Sequence, residues 1–180
     1  MTTPPKPDIA LEIVSNPIYL CAVREMINLS AKRLGFADAQ ASQVALAVDE
    51  AIVNVMKHGY ERRLDGRIWL RMTPLTTPSP DTQGPQGPQG PQVTGLEIVI
   101  EDEAKQVDPD QIKGRDLEDI RPGGLGVHII REVMDEVRYE KRTSGGMRLT
   151  MVKQQASDRS TNNARPNPCA HANRDEHGRT

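Results

Sequence analysis

The chain has 180 residues, a formal net charge of −2 and only 3% aromatic residues. This length suffices for one domain with a sizeable core, which must be largely aliphatic. A net negative charge excludes an overall positive electrostatic field that would attract nucleic acid. The sequence contains no run of 18 apolar residues, so no transmembrane helix is predicted. The first residues, MTTPPKPD, lack the apolar stretch of a signal peptide, and two cysteines do not make a disulfide framework. We therefore expect a cytoplasmic protein that binds neither nucleic acid directly nor a membrane.

The N-terminal part of the chain predicts a strand followed by a helix. Residues 9–14 fit the strand. Asn16 is a favourable capping residue and Pro17 a favourable first residue for the helix, which runs to about Leu34. Cys21 lies in its apolar-rich part and is expected to be a small buried hydrophobe.

A second helix carries the most informative stretch of the sequence, DEAIVNVMKHGY. Asp38 is its expected N-cap, and Gly59 is its expected end. Residues four apart lie on one stripe of a helix, and three polar residues have this spacing beside the apolar face: Glu50, Asn54 and His58. Taken alone, this pattern is typical of the solvated face of an amphipathic helix.

The remaining elements predict four more strands and one more helix. Residues 67–72 alternate as a strand, with Ile68, Leu70 and Met72 facing inward, and residues 96–102 form a strongly apolar strand. Three consecutive Gly-Pro-Gln triplets separate these strands. So few triplets cannot hold a triple helix, so we expect residues 73–94 to be a disordered loop insertion. Next come a glycine-rich turn that leads into a helix, GGLGVHIIREVMDEV, and a closing hairpin made of VRYEKRT, SGG and MRLTMVK.

This order of elements, β-α-α-β-β-α-β-β, predicts an α+β fold. We expect a two-layer sandwich in which helices cover one face of a mixed, mostly antiparallel sheet. One domain at residues 9–153 would then be flanked by a disordered N-terminus at residues 1–8 and a disordered tail at residues 154–180, which has few apolar residues.

Three separated stretches carry residues suited to nucleotide chemistry. The amide oxygen of Asn54 is a hard ligand for Mg²⁺, and the carboxylate of Glu50 can accept a proton from a nucleophile. Asp102, after an apolar strand, can hydrogen-bond an adenine amino group. The glycine-rich turn at residues 123–126 precedes a helix, whose first N–H groups suit phosphate. Together these stretches predict a nucleotide site.

On these stretches the sequence resembles the anti-sigma-factor serine/threonine protein kinases. They are small members of the ATPase superfamily that includes gyrase, histidine kinases and MutL. The resemblance covers about residues 9–153, apart from the Gly-Pro-Gln insertion. The motifs that carry it are VDEAIVNVMKHGY, IEDEAKQVDP, PGGLGVHII and GGMRLTM.

The resemblance implies a histidine-kinase-like ATPase fold, ATP and Mg²⁺ as cofactors, and protein kinase activity. By its motifs, Glu50 is the general base and Asn54 the magnesium ligand. It also implies three kinds of partner, which are a sigma factor, a small phosphorylatable anti-sigma-factor antagonist and a second copy of the chain. The nucleotide-binding positions that it implies are Asn54, His58, Asp102, Ala104, Gly123, Gly124, Leu125, Gly126, Val127 and Met147.

Two departures from the family pattern leave other functions open. Ala104 replaces a glycine that allows close approach to adenine, and Met147 replaces a common threonine. Both favour the alternative of a nucleotide-binding scaffold for partner switching without kinase activity. A detached histidine-kinase-like module is a third alternative, against which stand a short lid stretch and the lack of a dimerisation helix with a phospho-acceptor histidine.

Overall fold

Five strands and three α-helices make up most of the chain that the structure, a computed structural model, describes. It describes residues 6–77, 92–112 and 125–156. Short 3₁₀ segments lie at Pro17–Tyr19 and Pro109–Gln111, and a π-helical segment lies at Val55–Gly59. The main elements are β1 (Ile9–Val14), α1 (Leu20–Arg33), α2 (Asp38–Asn54), β2 (Arg67–Thr77), β3 (Gln92–Asp102), α3 (Leu125–Val133), β4 (Glu136–Lys141) and β5 (Met147–Gln154). The predicted order of elements is therefore confirmed.

The strands form one sheet in the order β1-β2-β3-β5-β4. Each of the four neighbouring pairs is antiparallel, which confirms the expected fold class; within the described residues the sheet is wholly antiparallel rather than mixed. Among the described strands, no pair is joined by the parallel crossover that a mixed sheet needs.

The core lies between one face of this sheet and the helices. Alternate residues of each strand face it, as predicted for β2. The buried apolar side chains of α1, α2 and α3 pack on the same sheet face, which gives the two-layer α+β sandwich. Its largest fully buried residues are Ile27, Val44, Val48, Ile52, Ile68, Leu70, Met72, Leu96, Ile98, Ile100, Ile130 and Met151.

Two expectations for the helices are wrong, and one is confirmed. The side chain of Asn16 accepts a hydrogen bond from the backbone N–H of Ile18 at 3.1 Å, as a cap should. Asp38, however, is the first residue of α2 rather than its cap, and it pairs with Lys32 at 3.2 Å. Cys21 is exposed, because the buried stripe of α1 runs through Val23 and Ile27 instead.

The strands are longer than the sequence indicated. Residues 73–77 and 92–94 belong to β2 and β3 rather than to a loop, and Thr77 pairs with Gln92. The rest of the predicted insertion, residues 78–91, lies outside the described residues, as do residues 1–5 and the tail from residue 157 onward. No helix in the described ranges is long and apolar enough to cross a membrane.

Candidate active site

A cavity of about 400 Å³ opens where the end of α2, the end of β3, the start of α3 and the start of β5 meet. Its walls are mainly apolar, with a few polar groups, as is usual for sites that bind small molecules. Several predicted residues line it: Asn54, His58, Asp102, Gly126, Val127 and Met147. Glu50, Ala104 and Leu125 do not line this cavity. Gly123 and Gly124 lie outside the described residues.

Glu50 and Asn54 converge on the first turn of α3. A methyl group built on Gly126 would lie 2.7 Å from Oε2 of Glu50 and 3.2 Å from Nδ2 of Asn54. A side chain at this position would force the end of the Glu50 side chain to move, so glycine lets the backbone of α3 lie close to both polar groups. The structure thus brings together the proposed base, the proposed metal ligand and the end of the glycine-rich turn.

The side-chain amide of Asn54 has an unused polar atom. Its Nδ2 is buried and has no hydrogen-bond partner among the residues that the structure describes. A half-turn of the terminal amide exchanges nitrogen and oxygen, which places an unpaired ligand oxygen at this position. In the described ranges, no group of three or more His, Cys, Asp or Glu side chains could hold a metal. Mg²⁺ commonly binds through one or two protein oxygens together with phosphates and water, so Asn54 fits such an ion.

Asp102 lies at the other end of the cavity and is only 4% exposed. Its Oδ1 accepts hydrogen bonds from the backbone N–H groups of Ala104 at 2.8 Å and Met147 at 3.1 Å. Both bonds use the same oxygen, so Oδ2 remains to accept a donor from a ligand. Burial raises the pKa of Asp102 above its ordinary value, and the two backbone N–H groups partly oppose this rise.

The two departures from the family pattern have separate structural settings. Ala104 contacts Gly59, where a built methyl group would lie 2.8 Å from the methyl of Ala104. The methyl group of Ala104 is therefore accommodated by glycine at residue 59. Met147 contributes its backbone N–H to Asp102, which any residue except proline can do, while its side chain lines the cavity.

The helix that carries the polar stripe changes its geometry after Asn54. The helix widens to a π turn at Val55–Gly59, and the N–H of Tyr60 donates to the carbonyl of Val55 at 2.9 Å. His58 lies in this wider turn and lines the cavity together with Asn54. π turns are rare and occur often at functional sites.

Several residues of the cavity wall escaped the sequence analysis. Four of them follow β3 in the stretch that read as polar and irregular: Lys105, Val107, Gln111 and Ile112. Tyr139 of β4 also lines the cavity, and burial raises its pKa to about 12. The apolar residues Val107 and Ile112 within a polar stretch are the only signal that could have marked this wall.

Comparisons with known proteins agree with this geometry. A family model described as a histidine kinase-like ATPase domain matches residues 13–153. The chain is 26% identical over 154 residues to the serine-protein kinase RsbW of Bacillus subtilis (strain 168), which covers 81% of this chain and 84% of that protein. It is 27% identical over 147 residues to the serine-protein kinase RsbW of Listeria innocua, with coverage of 81% and 85%.

A solved structure has the same fold. It is a crystal structure of the RsbU and RsbW domains of a Mycobacterium tuberculosis protein, with a TM-score of 0.52 and 14% identity. The similarity covers 84% of this chain and 32% of that one. The family match includes the elements that supply Asn54, Asp102 and Gly126, and it confirms the resemblance and the fold that the motifs predicted. The chain therefore belongs to the histidine kinase-like ATPase domain family.

Proposed function

We propose that this protein is an anti-sigma factor and a serine/threonine protein kinase. It binds ATP with Mg²⁺ and phosphorylates a Ser or Thr on an anti-sigma-factor antagonist, which controls the release of a sigma factor. The observation that carries the proposal is the convergence of Glu50 and Asn54 on Gly126, beside a cavity that ends at Asp102. The relatives named serine-protein kinase support the same activity.

In this proposal the base of ATP enters the apolar end of the cavity. Oδ2 of Asp102 accepts a hydrogen bond from the adenine amino group, while Oδ1 stays bonded to the backbone. Ile100, Met147 and Leu149 line the same cavity and offer apolar surface for the flat base. Burial strengthens the single polar contact, because the low dielectric around Asp102 weakens competition from water.

The phosphates then extend toward the start of α3. The first N–H groups of a helix and its dipole favour negative charge, and Gly126 permits a close approach of the backbone. Asn54 would hold Mg²⁺, which when bound neutralises charge on the phosphate oxygens. His58 and Lys105 also line the cavity.

Glu50 is proposed as the general base, one helical turn before Asn54. Its half-buried carboxylate lies against Gly126, where it can accept the proton of an attacking Ser or Thr hydroxyl. Phosphoryl transfer needs mainly positioning and charge stabilisation, so a small site of this kind suffices. The proposal includes a homodimer, in agreement with the family resemblance.

Phosphoryl transfer by the Glu50→Gln variant tests this function. The variant keeps the shape of the side chain and removes the base, so we expect ATP affinity to persist and transfer to fall by roughly 10²–10⁴-fold. The measurement is transfer of label from γ-labelled ATP to purified candidate antagonist proteins. Glu25→Gln, at an exposed position of α1, is the matched control and should behave as the wild type.

A different outcome would favour the scaffold alternative. If the wild type binds ATP, transfers no label to any antagonist and shows the same partner exchange as Glu50→Gln, the kinase proposal fails. Ala104 and Met147 are the residues that motivate this alternative, since both replace residues typical of the active family.

A further inference from the structure

The sheet face opposite the helices carries a buried carboxylate. Glu101 of β3 is only 6% exposed, although no helix of the described chain covers this face. Its oxygens accept hydrogen bonds from Arg71 at 2.6 Å and Arg148 at 2.7 Å. Burial alone would raise the pKa of Glu101, but these hydrogen bonds outweigh it and hold the pKa below its ordinary value. Glu101 is therefore a charged anchor rather than a neutral acid.

Arg142 joins this anchor to the proposed nucleotide site. Its Nε lies 3.7 Å from Oε1 of Glu101, and its guanidinium stacks over the ring of Trp69 at 5.4 Å. Its Nη1 donates a hydrogen bond to the backbone carbonyl of Asp102. The side chain is only 18% exposed. One guanidinium thus contacts the open face of the sheet and the backbone of the residue that ends the cavity.

The backbone around Arg142 reinforces the connection. Its carbonyl accepts a hydrogen bond from Nε2 of Gln106 at 2.7 Å, and Gln106 also reaches the carbonyl of Gly146 at 3.1 Å. The turn between β4 and β5 is therefore fastened to the segment that follows Asp102. Met147, whose N–H supports the carboxylate of Asp102, lies directly after this turn.

We propose that Arg142 is a positioning residue for nucleotide binding, held in place by Glu101 and Trp69. It fixes the backbone of Asp102 so that the carboxylate keeps its bonds to Ala104 and Met147 and presents Oδ2 to the base. The inference rests on the proposed function, because it needs a base to recognise. Arg142 does not line the cavity, so its effect on a ligand passes through Asp102.

Nucleotide binding by Arg142→Met and Arg138→Met tests the proposal. Arg138 lies in β4 and Arg142 directly follows it, but Arg138 is 69% exposed and, among the described residues, forms an ion pair only with Glu140 on the surface. Loss of a charge-assisted hydrogen bond should weaken ATP binding about tenfold in Arg142→Met, and the preference for ATP over GTP should fall with it. The rate at saturating ATP should stay near that of the wild type, because Glu50 and Asn54 are untouched. Arg138→Met should change neither quantity.

A second arm needs no nucleotide. Amide hydrogen exchange of the free protein should be faster at Ala104 and Met147 in Arg142→Met, since their N–H groups lose a fixed partner. Arg142→Lys keeps the charge but cannot reach Glu101 and Asp102 together, so it should show a smaller change in the same direction. This variant decides the question if the methionine variant does not fold.

The outcomes separate the two claims. Unchanged exchange at Ala104 and Met147 in both Arg142 variants would overturn the positioning role, whatever the protein binds. Weaker ATP binding with an unchanged preference over GTP would also overturn it, because the loss would not pass through Asp102. If amide exchange at Ala104 and Met147 is faster in the Arg142 variants but the wild type binds no ATP, the positioning role is supported and the proposed function is contradicted.

Discussion

At the scale of single residues, Asp102 combines a cost in stability with a role in recognition. It is the buried carboxylate at the end of the cavity, and burial raises its pKa. An acid whose pKa is raised on folding stabilises the fold at pH values below its unfolded pKa. That contribution is lost as the pH rises through the folded pKa. At neutral pH the charge of Asp102 therefore opposes folding, and in the proposed function a bound ligand uses this charge.

The Asp102→Asn variant should consequently be more stable and bind ATP more weakly. The amide oxygen can still accept from Ala104 and Met147, while the charge is gone. The NH₂ group of the asparagine would face the adenine amino group. Both groups are hydrogen-bond donors, so the acceptor that adenine needs would be missing. Thermal unfolding at neutral pH should show a higher melting temperature, and the gain should shrink as the pH falls. A melting temperature below that of the wild type would show that the carboxylate is structural.

At the scale of elements, the junction between the π turn and the end of β3 determines the shape of the cavity. Gly59 ends the π turn and contacts Ala104, and Tyr60 ties the junction together. The hydroxyl of Tyr60 donates to the carbonyl of Arg67 at 2.5 Å and accepts from the N–H of Glu103 at 2.9 Å. The ends of α2, β2 and β3 are thereby fixed relative to one another.

A pair of substitutions tests this junction. Gly59→Ala would place two methyl groups 2.8 Å apart, so we expect it to destabilise the protein by about 1–3 kcal/mol, the usual cost of overpacking. Ala104→Gly in the same chain removes the second methyl and should restore most of the loss. Chemical denaturation of both single variants and the double variant measures the coupling. If Gly59→Ala lowers the free energy of unfolding by the same amount in the wild type and in the Ala104→Gly variant, the contact between these two residues is contradicted.

The same element shows what sequence reasoning can and cannot supply. The alternation of Ile68, Leu70 and Met72 correctly predicted which side chains of β2 face the core, because a strand has a side-chain period of two. The π turn could not be predicted, since the residues from Val55 to Gly59 also suit an α-helix. The cavity wall at Lys105 and Gln111 depends on how an irregular segment packs. An irregular segment has no hydrophobic periodicity, so its packing could not be predicted from the sequence.

At the scale of the whole molecule, the motifs predicted the fold because they lie at element ends that meet in space. Strands β3 and β5 are neighbours, so the segment after Asp102 meets the start of β5 at Met147. The length of the strands was predicted less well, since the threonine-rich residues up to Thr77 resembled a loop in composition. Pairing with β3 stabilises them as strand.

Removal of residues 78–91 should leave the fold intact. Joining Thr77 to Gln92 through a short hairpin turn keeps every described residue of β2 and β3. Loop closure depends only weakly on length, at about 0.6 kcal/mol for each doubling, so stability should be equal or slightly higher. Thermal unfolding and ATP titration of the shortened protein check this expectation. A large drop in melting temperature would show that the removed segment packs on the domain.

The central claim is that the cavity between Asn54 and Asp102 binds ATP with Mg²⁺. Isothermal titration of the wild type and of Asn54→Ala with ATP, with and without Mg²⁺, tests it most directly. We predict that Mg²⁺ strengthens binding of ATP to the wild type, and that Asn54→Ala loses most of this Mg²⁺ dependence because its ligand oxygen is gone. Absence of binding to the wild type, or equal Mg²⁺ dependence in the two proteins, would contradict the claim.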